Sequence, residues 1–321
     1  MSAVRTPPSP ATPALPLPGS PVRPRAGERP WHRTVRRFQR NPLSVLGAAI
    51  ILFFVALAVL APVLAHPTER NPYLIPHSGY ASDPRPPGPG HPLGTTEQQF
   101  DLYYGVIWGA RTAFVVALTV IATAVAIALV LGSLSGYYGG RVDEIVMRVT
   151  DIVLAFPGLI LAVVIVAVLG PSVRNLVIAI AAVEWPTYTR LLRGEFLRVR
   201  DMEYVQAARA LGAGDFWVIL RHVIPNTVYP ILILASLNMG NIVITFAALS
   251  FLGLGVPPGY ADWGQLINLS HNWITGTAGD PFTYWYTLVV PGAAIFLFVL
   301  GWNLLGDAFR DIFDPRLQGS R

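Results

Sequence analysis

Asn41-Pro-Leu-Ser-Val-Leu-Gly-Ala-Ala-Ile-Ile-Leu-Phe-Phe-Val-Ala-Leu-Ala-Val-Leu-Ala-Pro-Val-Leu-Ala65 contains no ionisable side chain. Wound as a helix, a run of this length crosses the ~30 Å hydrocarbon core of a bilayer. It is also too long for the apolar core of a cleaved signal peptide. The residues before it, 1–40, carry eight arginines against one acid, Glu28. A basic tail of this kind can signal nucleic acid, but beside a membrane span it marks the cytoplasmic side, and no nucleic-acid partner is expected. Nine prolines within residues 1–30 leave too little apolar surface to form a core, so 1–40 is expected to be a disordered tail.

The remainder of the chain repeats the theme. Of 321 residues, 53% are hydrophobic and 13% charged. That charged share is about half the usual one for a soluble protein. Residues 66–105 hold eight prolines and read as an extended external loop. Further apolar stretches follow at 112–134, 152–170, 175–193, 227–250 and 286–305, the third of these interrupted by Glu184. The expected fold is therefore an all-α integral membrane bundle of six transmembrane helices. One span lies at 41–65, a five-span core at 106–306 includes a polar loop at 194–226, and a short tail covers 307–321. Alternating the sides places 19 of the 23 arginines in one compartment and only Arg70, Arg85, Arg111 and Arg174 in the other. By the positive-inside bias, both termini face the cytoplasm.

The same counts exclude chemistry. With no cysteine, disulfide frameworks, thiol catalysis and cysteine-ligated zinc are ruled out. All 23 basic residues are arginine, and a phosphate-binding loop of the Gly-x4-Gly-Lys-Ser/Thr type requires a lysine. Any ATP used must be hydrolysed by another polypeptide, and this chain is not expected to bind a cofactor or to be an enzyme. The six histidines show no metal-ligand spacing.

The polar loop carries the most information. In Glu203-Tyr-Val-Gln-Ala-Ala-Arg-Ala-Leu-Gly212, residues Tyr204, Ala207, Ala208 and Leu211 fall at i, i+3, i+4 and i+7 and share one helical face. Gly212 suits the left-handed residue that closes a helix. A short amphipathic helix over 203–213 with a face of small residues can seat a partner protein. It can equally lie on lipid headgroups. Two sets of intramembrane polar groups stand beside it. Glu184, next to Trp185-Pro186, is either part of a substrate pathway or a structural hydrogen-bond partner. Asn238, Asn241 and Thr245 either line a passage or bind neighbouring helices. Gly132, Gly136 and Gly140 are spaced by four, a close-packing signature in helices, but because Tyr137-Tyr-Gly-Gly140 looks like a loop, mainly a helix end is expected there.

At the loop the chain resembles the inner-membrane permeases of ABC importers. Their signature is Glu-Ala-Ala, three residues, Gly, nine residues, Ile-x-Leu-Pro. Here it reads Gln206-Ala207-Ala208, Gly212 and His222-Val223-Ile224-Pro225 at the same spacing. The His form is similar to the second permease subunit of the dipeptide/oligopeptide/nickel branch. His91-Pro-Leu-Gly-Thr95, Gly109-Ala-Arg111, Phe156-Pro157, Trp185-Pro186 with Arg190, Leu249 to Gly255, Trp263-Gly264, and Gly306-Asp307 through Asp314-Pro-Arg316 extend the likeness over about residues 40–317. In that family a Gly-Arg-Asp follows the Thr95 motif, whereas this chain has Gln99-Phe100-Asp101.

The resemblance implies a bundle like that of a type I ABC importer, in a bacterial plasma (inner) membrane. It implies a homologous second permease, two cytoplasmic ATPase subunits that use the ATP, an extracytoplasmic solute-binding protein, and a peptide or nickel cargo. It also implies that the 203–213 helix couples to the ATPase, with Tyr204, Gln206, Ala207, Ala208, Leu211, Gly212 and Pro225 as its residues. The alternative readings are a stand-alone ion-coupled carrier or channel, and an assembly scaffold. A carrier would show several intramembrane charges or paired broken helices.

Overall fold

A computed structural model describes residues 38–313 apart from 40, 78, 80, 82, 274 and 278. The expectations for the tails 1–37 and 314–321 lie outside the described residues. The chain is helical throughout its main elements. These are α1 (Pro42–Leu64), α2 (Leu102–Tyr138), α3 (Gly140–Leu154), α4 (Gly158–Leu169) and α5 (Val173–Arg200). They continue with α6 (Glu203–Ala210), α7 (Asp215–Val218), α8 (Ile224–Phe251), α9 (Trp263–Asn268) and α10 (Trp285–Phe313).

Local chemistry sets the boundaries. Asn41, Asp101, Ser172 and Asp262 cap α1, α2, α5 and α9 by accepting a backbone N–H of the first turn. Pro157 ends the run of α3 because the residue before a proline is pushed out of the α region. The α3 and α4 axes then meet at 89°. At one end of the bundle, Trp108 donates its indole N–H to the Ala65 carbonyl at 2.9 Å. At the other, the start of α1 lies against the end of α10: a Cβ on Gly47 would fall 2.6 Å from the Leu304 Cβ. We refer to this second end as the terminal end.

Four helices among the described residues, α1, α2, α10 and the continuous helix from Asp215 to Phe251, are long and apolar enough to span a membrane. The bent pair α3 and α4 makes five if taken as one span. The expected six therefore differ by α5. It has 28 residues, but Arg174, Glu184, Arg190, Arg193, Glu195, Arg198 and Arg200 keep it polar. α5 is nonetheless a core helix, with Leu176, Ile180, Tyr188, Leu192 and Phe196 fully buried.

One further expectation is corrected and another resolved. Residues 66–105 are not simply an extended exposed loop. Ile75, Thr95, Thr96 and Gln99 are buried, and α2 begins inside the segment at Leu102. The reason is polar pairing: Gln99 donates to the Asp83 carbonyl at 2.8 Å, and His91 Nδ1 lies 2.6 Å from Asp101 Oδ2. For the glycines, both readings hold in different places: Gly132 and Gly136 are interior to α2 and serve close packing. A Cβ there would stand 2.8 Å from the Leu192 Cβ and 2.5 Å from the Phe196 Cβ, so the glycines let α2 and α5 approach closely. Only Gly139 and Gly140, at φ 69° and 56°, form the turn.

Candidate functional site

At the terminal end, α6 and α7 stand on the tips of α2 and α5. α6 ends at Ala210 with Leu211 as its cap, three residues short of the expected 213. Gly212, at φ +85°, donates to the Arg209 carbonyl, and Ala213 donates to Ala208, closing the helix by a paired left-handed cap. The Gln206 amide donates to the Asp201 carbonyl at 3.1 Å, which ties the helix to its own entrance.

The face read as a partner contact is largely exposed, and a different side of the helix meets the bundle. Val205 is fully buried and Ala208 half-buried, whereas Tyr204, Ala207 and Leu211 are exposed, Leu211 to 89%. Val205 packs with Val218, Ile219 and Val223 in a small core that also holds Leu192, Phe196 and Val199 of α5. Around that core lies a polar clamp. The Tyr137 hydroxyl donates to Asp215 Oδ1 at 2.6 Å and accepts from Arg209 Nε at 3.2 Å. The Arg209 guanidinium also sits 4.6 Å above the Tyr137 ring. Arg200 donates to the Gly136 carbonyl at 2.9 Å.

Beyond the clamp the surface is apolar. Tyr204, Leu211, Phe216, Trp217 and Leu220 are all exposed, and His222 is held edge-on by Trp217 at 4.9 Å. Pro225 is exposed in the first turn of α8. It has no N–H for the Arg221 carbonyl, and the preceding turn, Ile219–Val223, widens to a π-helix that absorbs the mismatch. The result is a single helix from Asp215 to Phe251, 37 residues long, running from the apolar patch into the bundle.

Deeper in the bundle, the Asn238 amide of α8 donates to Glu184 Oε2 of α5 at 3.3 Å. Tyr188, one turn from Glu184, is buried beside both. Asn241, three residues beyond Asn238 on α8, is exposed, and Thr245 donates to the Asn241 carbonyl at 3.0 Å. Among the described residues no three acids or histidines gather in a metal-binding arrangement.

The structure thus brings together Glu184 and Asn238, and gathers the 204–225 residues into one clamped element. The sequence reading missed Val205, Tyr137, Arg209, Asp215 and Trp217. Val205, Ala208 and Arg209 fall at i, i+3 and i+4 and were readable as a face; the Tyr137 contact spans 78 residues of sequence and was not.

Residues 128–319 match the family model described as binding-protein-dependent transport system inner membrane component. The chain belongs to that family. Residues 29–85 match a second model, the N-terminal transmembrane domain of oligopeptide transport permease C. The permease is 34% identical to the dipeptide transport system permease protein of Alkalihalophilus pseudofirmus, over 90% of this chain and 91% of the relative. It is 37% identical to the probable D,D-dipeptide transport system permease protein of Escherichia coli strain K12, over 88% and 90%. It is 34% identical to the glutathione transport system permease protein of Pectobacterium atrosepticum, over 92% and 95%. A looser likeness, with a TM-score of 0.47 and 15% identity over 64% of this chain and 92% of the other, is to a crystal structure of an amino acid ABC transporter.

As a permease subunit of an ABC importer, the protein is a multi-pass transport component and not an enzyme. Two glycines of the motifs quoted above have a steric reason. A Cβ on Gly109 would stand 2.6 Å from the Trp263 indole nitrogen, and one on Gly264 would strike the Ala247 backbone.

Proposed function

We propose that this permease forms half of a translocation pathway and receives mechanical work at the apolar face of α6 and α7. A homologous permease supplies the other half, two separate ATPase subunits bind and hydrolyse ATP, and an external solute-binding protein delivers cargo. The terminal end faces the cytoplasm, so both termini do, and α5 completes a set of six spans in a bacterial inner membrane.

The observation that carries this reading is a rigid lever with an exposed handle. Exposed Tyr204, Leu211, Phe216, Trp217 and Leu220 sit where the 37-residue helix begins. An apolar patch at the water-exposed end of a bundle favours a protein partner. A partner that grips it differently in two states shifts the bundle between them. Tyr204, Ala207, Leu211 and Trp217 make the contact in this scheme. Gln206, Ala208 and Gly212 hold the helix in shape, and Pro225 sets the turn into the lever. Along the α5/α8 seam, Glu184, Asn238, Asn241 and Thr245 line the pathway. A carboxylate and amides suit the ammonium and backbone groups of a small peptide, which is the cargo we favour over nickel; the names of the relatives point the same way.

The test uses Ala207→Arg, which sets a charge into the exposed face, and Gly212→Trp, which strains the cap at φ +85°. Each is expected to insert normally but to lose co-purification of the ATPase subunits. Undiminished co-purification in both would overturn the docking model.

A further inference from the structure

The α3–α4 elbow is neither a straight span nor covered by this chain. α4 has 12 residues and rises only ~18 Å, short of a bilayer core. At the elbow, a Cβ on Gly158 would meet Val183 Cγ1 at 3.0 Å, which places the bend beside Glu184. Val183 is ten residues, or ~15 Å, along α5 from its start at Val173. The bend therefore lies a little over a third of the way along the ~42 Å of α5, well inside the bundle.

Two ion pairs fix α3 across α5. Asp143 pairs with Arg193, with Oδ2 and Nη2 2.6 Å apart, and Asp151 Oδ1 pairs with Arg190 Nη2 at 2.6 Å. The acids are eight residues apart on α3, while the arginines are three apart on α5, so the two helices cross obliquely.

The opposite face of α3 is bare. Val142, Ile145, Val149, Ile152 and Phe156 are 42%, 66%, 48%, 61% and 55% exposed. Their spacing alternates three and four, the seam of a helix that packs on one other helix. Charge also speaks against lipid. Glu144 and Arg148 are exposed at the edge of the stripe, and the Asp151–Arg190 pair stays 57% and 55% exposed. Ionised groups at this depth face protein or water. Finally, the elbow adjoins the part-buried Glu184–Asn238 contact, beside which Asn241 is exposed.

We propose that the 142–156 stripe is the contact for a helix of the homologous second permease, closing the pathway beside Glu184. This inference rests on the preceding reading that such a subunit is present.

The chain has no cysteine and so offers a natural background for single-cysteine labelling. Nitroxide labels are placed at Ile145 and Ile152, with Val59 on α1 and Leu118 on α2 as exposed controls, in the full complex and in the chain alone, both in proteoliposomes. The readout is the collision rate with dissolved oxygen, which is high in lipid. The expected result is a several-fold fall at Ile145 and Ile152 on assembly, with Val59 and Leu118 unchanged. A complete complex, with both partners co-purified, in which the stripe keeps control-level collision would overturn this proposal alone and assign the stripe to lipid. Protection already present in the chain alone would overturn the second permease as occupant, in favour of a second copy. Absence of any second permease from the purified complex would overturn both this proposal and the reading beneath it.

Discussion

Replacing Tyr137 by phenylalanine removes one oxygen and leaves the ring on which Arg209 rests. Tyr137 is 5% exposed, and its hydroxyl joins α2 to the first turn of the lever through Asp215 at 2.6 Å and to α6 through Arg209 at 3.2 Å. A bond to an ionised carboxylate is worth about 1.5–3 kcal/mol when buried, and about 1–2 kcal/mol here because Asp215 is exposed. The longer Arg209 bond adds about 0.5 kcal/mol. Together, about 2 kcal/mol raises the population with the loop lifted off α2 by roughly 30-fold. The assay is ATP consumed per solute moved in proteoliposomes of the full complex, read beside trypsin cleavage at Arg209 and Arg221. We expect wasted hydrolysis and faster cleavage, and little change for the neighbouring control Tyr138→Phe. Unaltered coupling and cleavage in Tyr137→Phe would refute the clamp. So would strict additivity with Asp215→Asn, which would show that the two groups do not act through each other.

Three further outcomes can be checked on the purified permease. Gln99 is buried at φ +62° where the related motif has glycine; Gln99→Ala keeps the strain and loses the Asp83 bond, and is expected to cost about 2 kcal/mol, with Gln99→Gly about 1 kcal/mol more stable than the alanine form in denaturant unfolding. Burial pushes Asp262 up to about 6 against the pull of backbone N–H groups of Gln265, Gly264 and Trp263. The folded state holds its proton over a range where the unfolded state has lost it. Stability is therefore expected to fall by about 3 kcal/mol as pH rises from about 4 to above 6, and then level off; Asp262→Asn, which can still cap α9, should lack this slope in melts across pH. Gly136→Ala drives a Cβ to 2.9 Å from the Arg193 carbonyl and is expected to destabilise by about 1–3 kcal/mol, whereas Gly194→Ala meets nothing within 4 Å and should stabilise by about 0.5–1 kcal/mol; equal and small effects in thermal unfolding would show that α2 and α5 are not closely packed.

What the amino-acid order determined by itself was local or cumulative. The ion-free run at 41–65, the missing lysine and the Gln206 to Pro225 spacing pointed to the membrane class, to a chain without a lysine-bearing phosphate loop, and to the family, because hydropathy and motif spacing need no partner across space. Gly212 as a left-handed cap was legible for the same reason. Which face of α6 is buried was not. Ala207, read as a partner contact, is exposed, whereas Val205 fills a core that also holds Tyr137, 68 residues earlier, whose hydroxyl meets Arg209 and Asp215. The glycines at 132 and 136 were ambiguous until α5 lay against them, and the charges that interrupt the apolar run of α5 find their partners on α3. Close approach and charge pairing between distant segments are set by how helices pack, and a one-dimensional pattern carries no record of that.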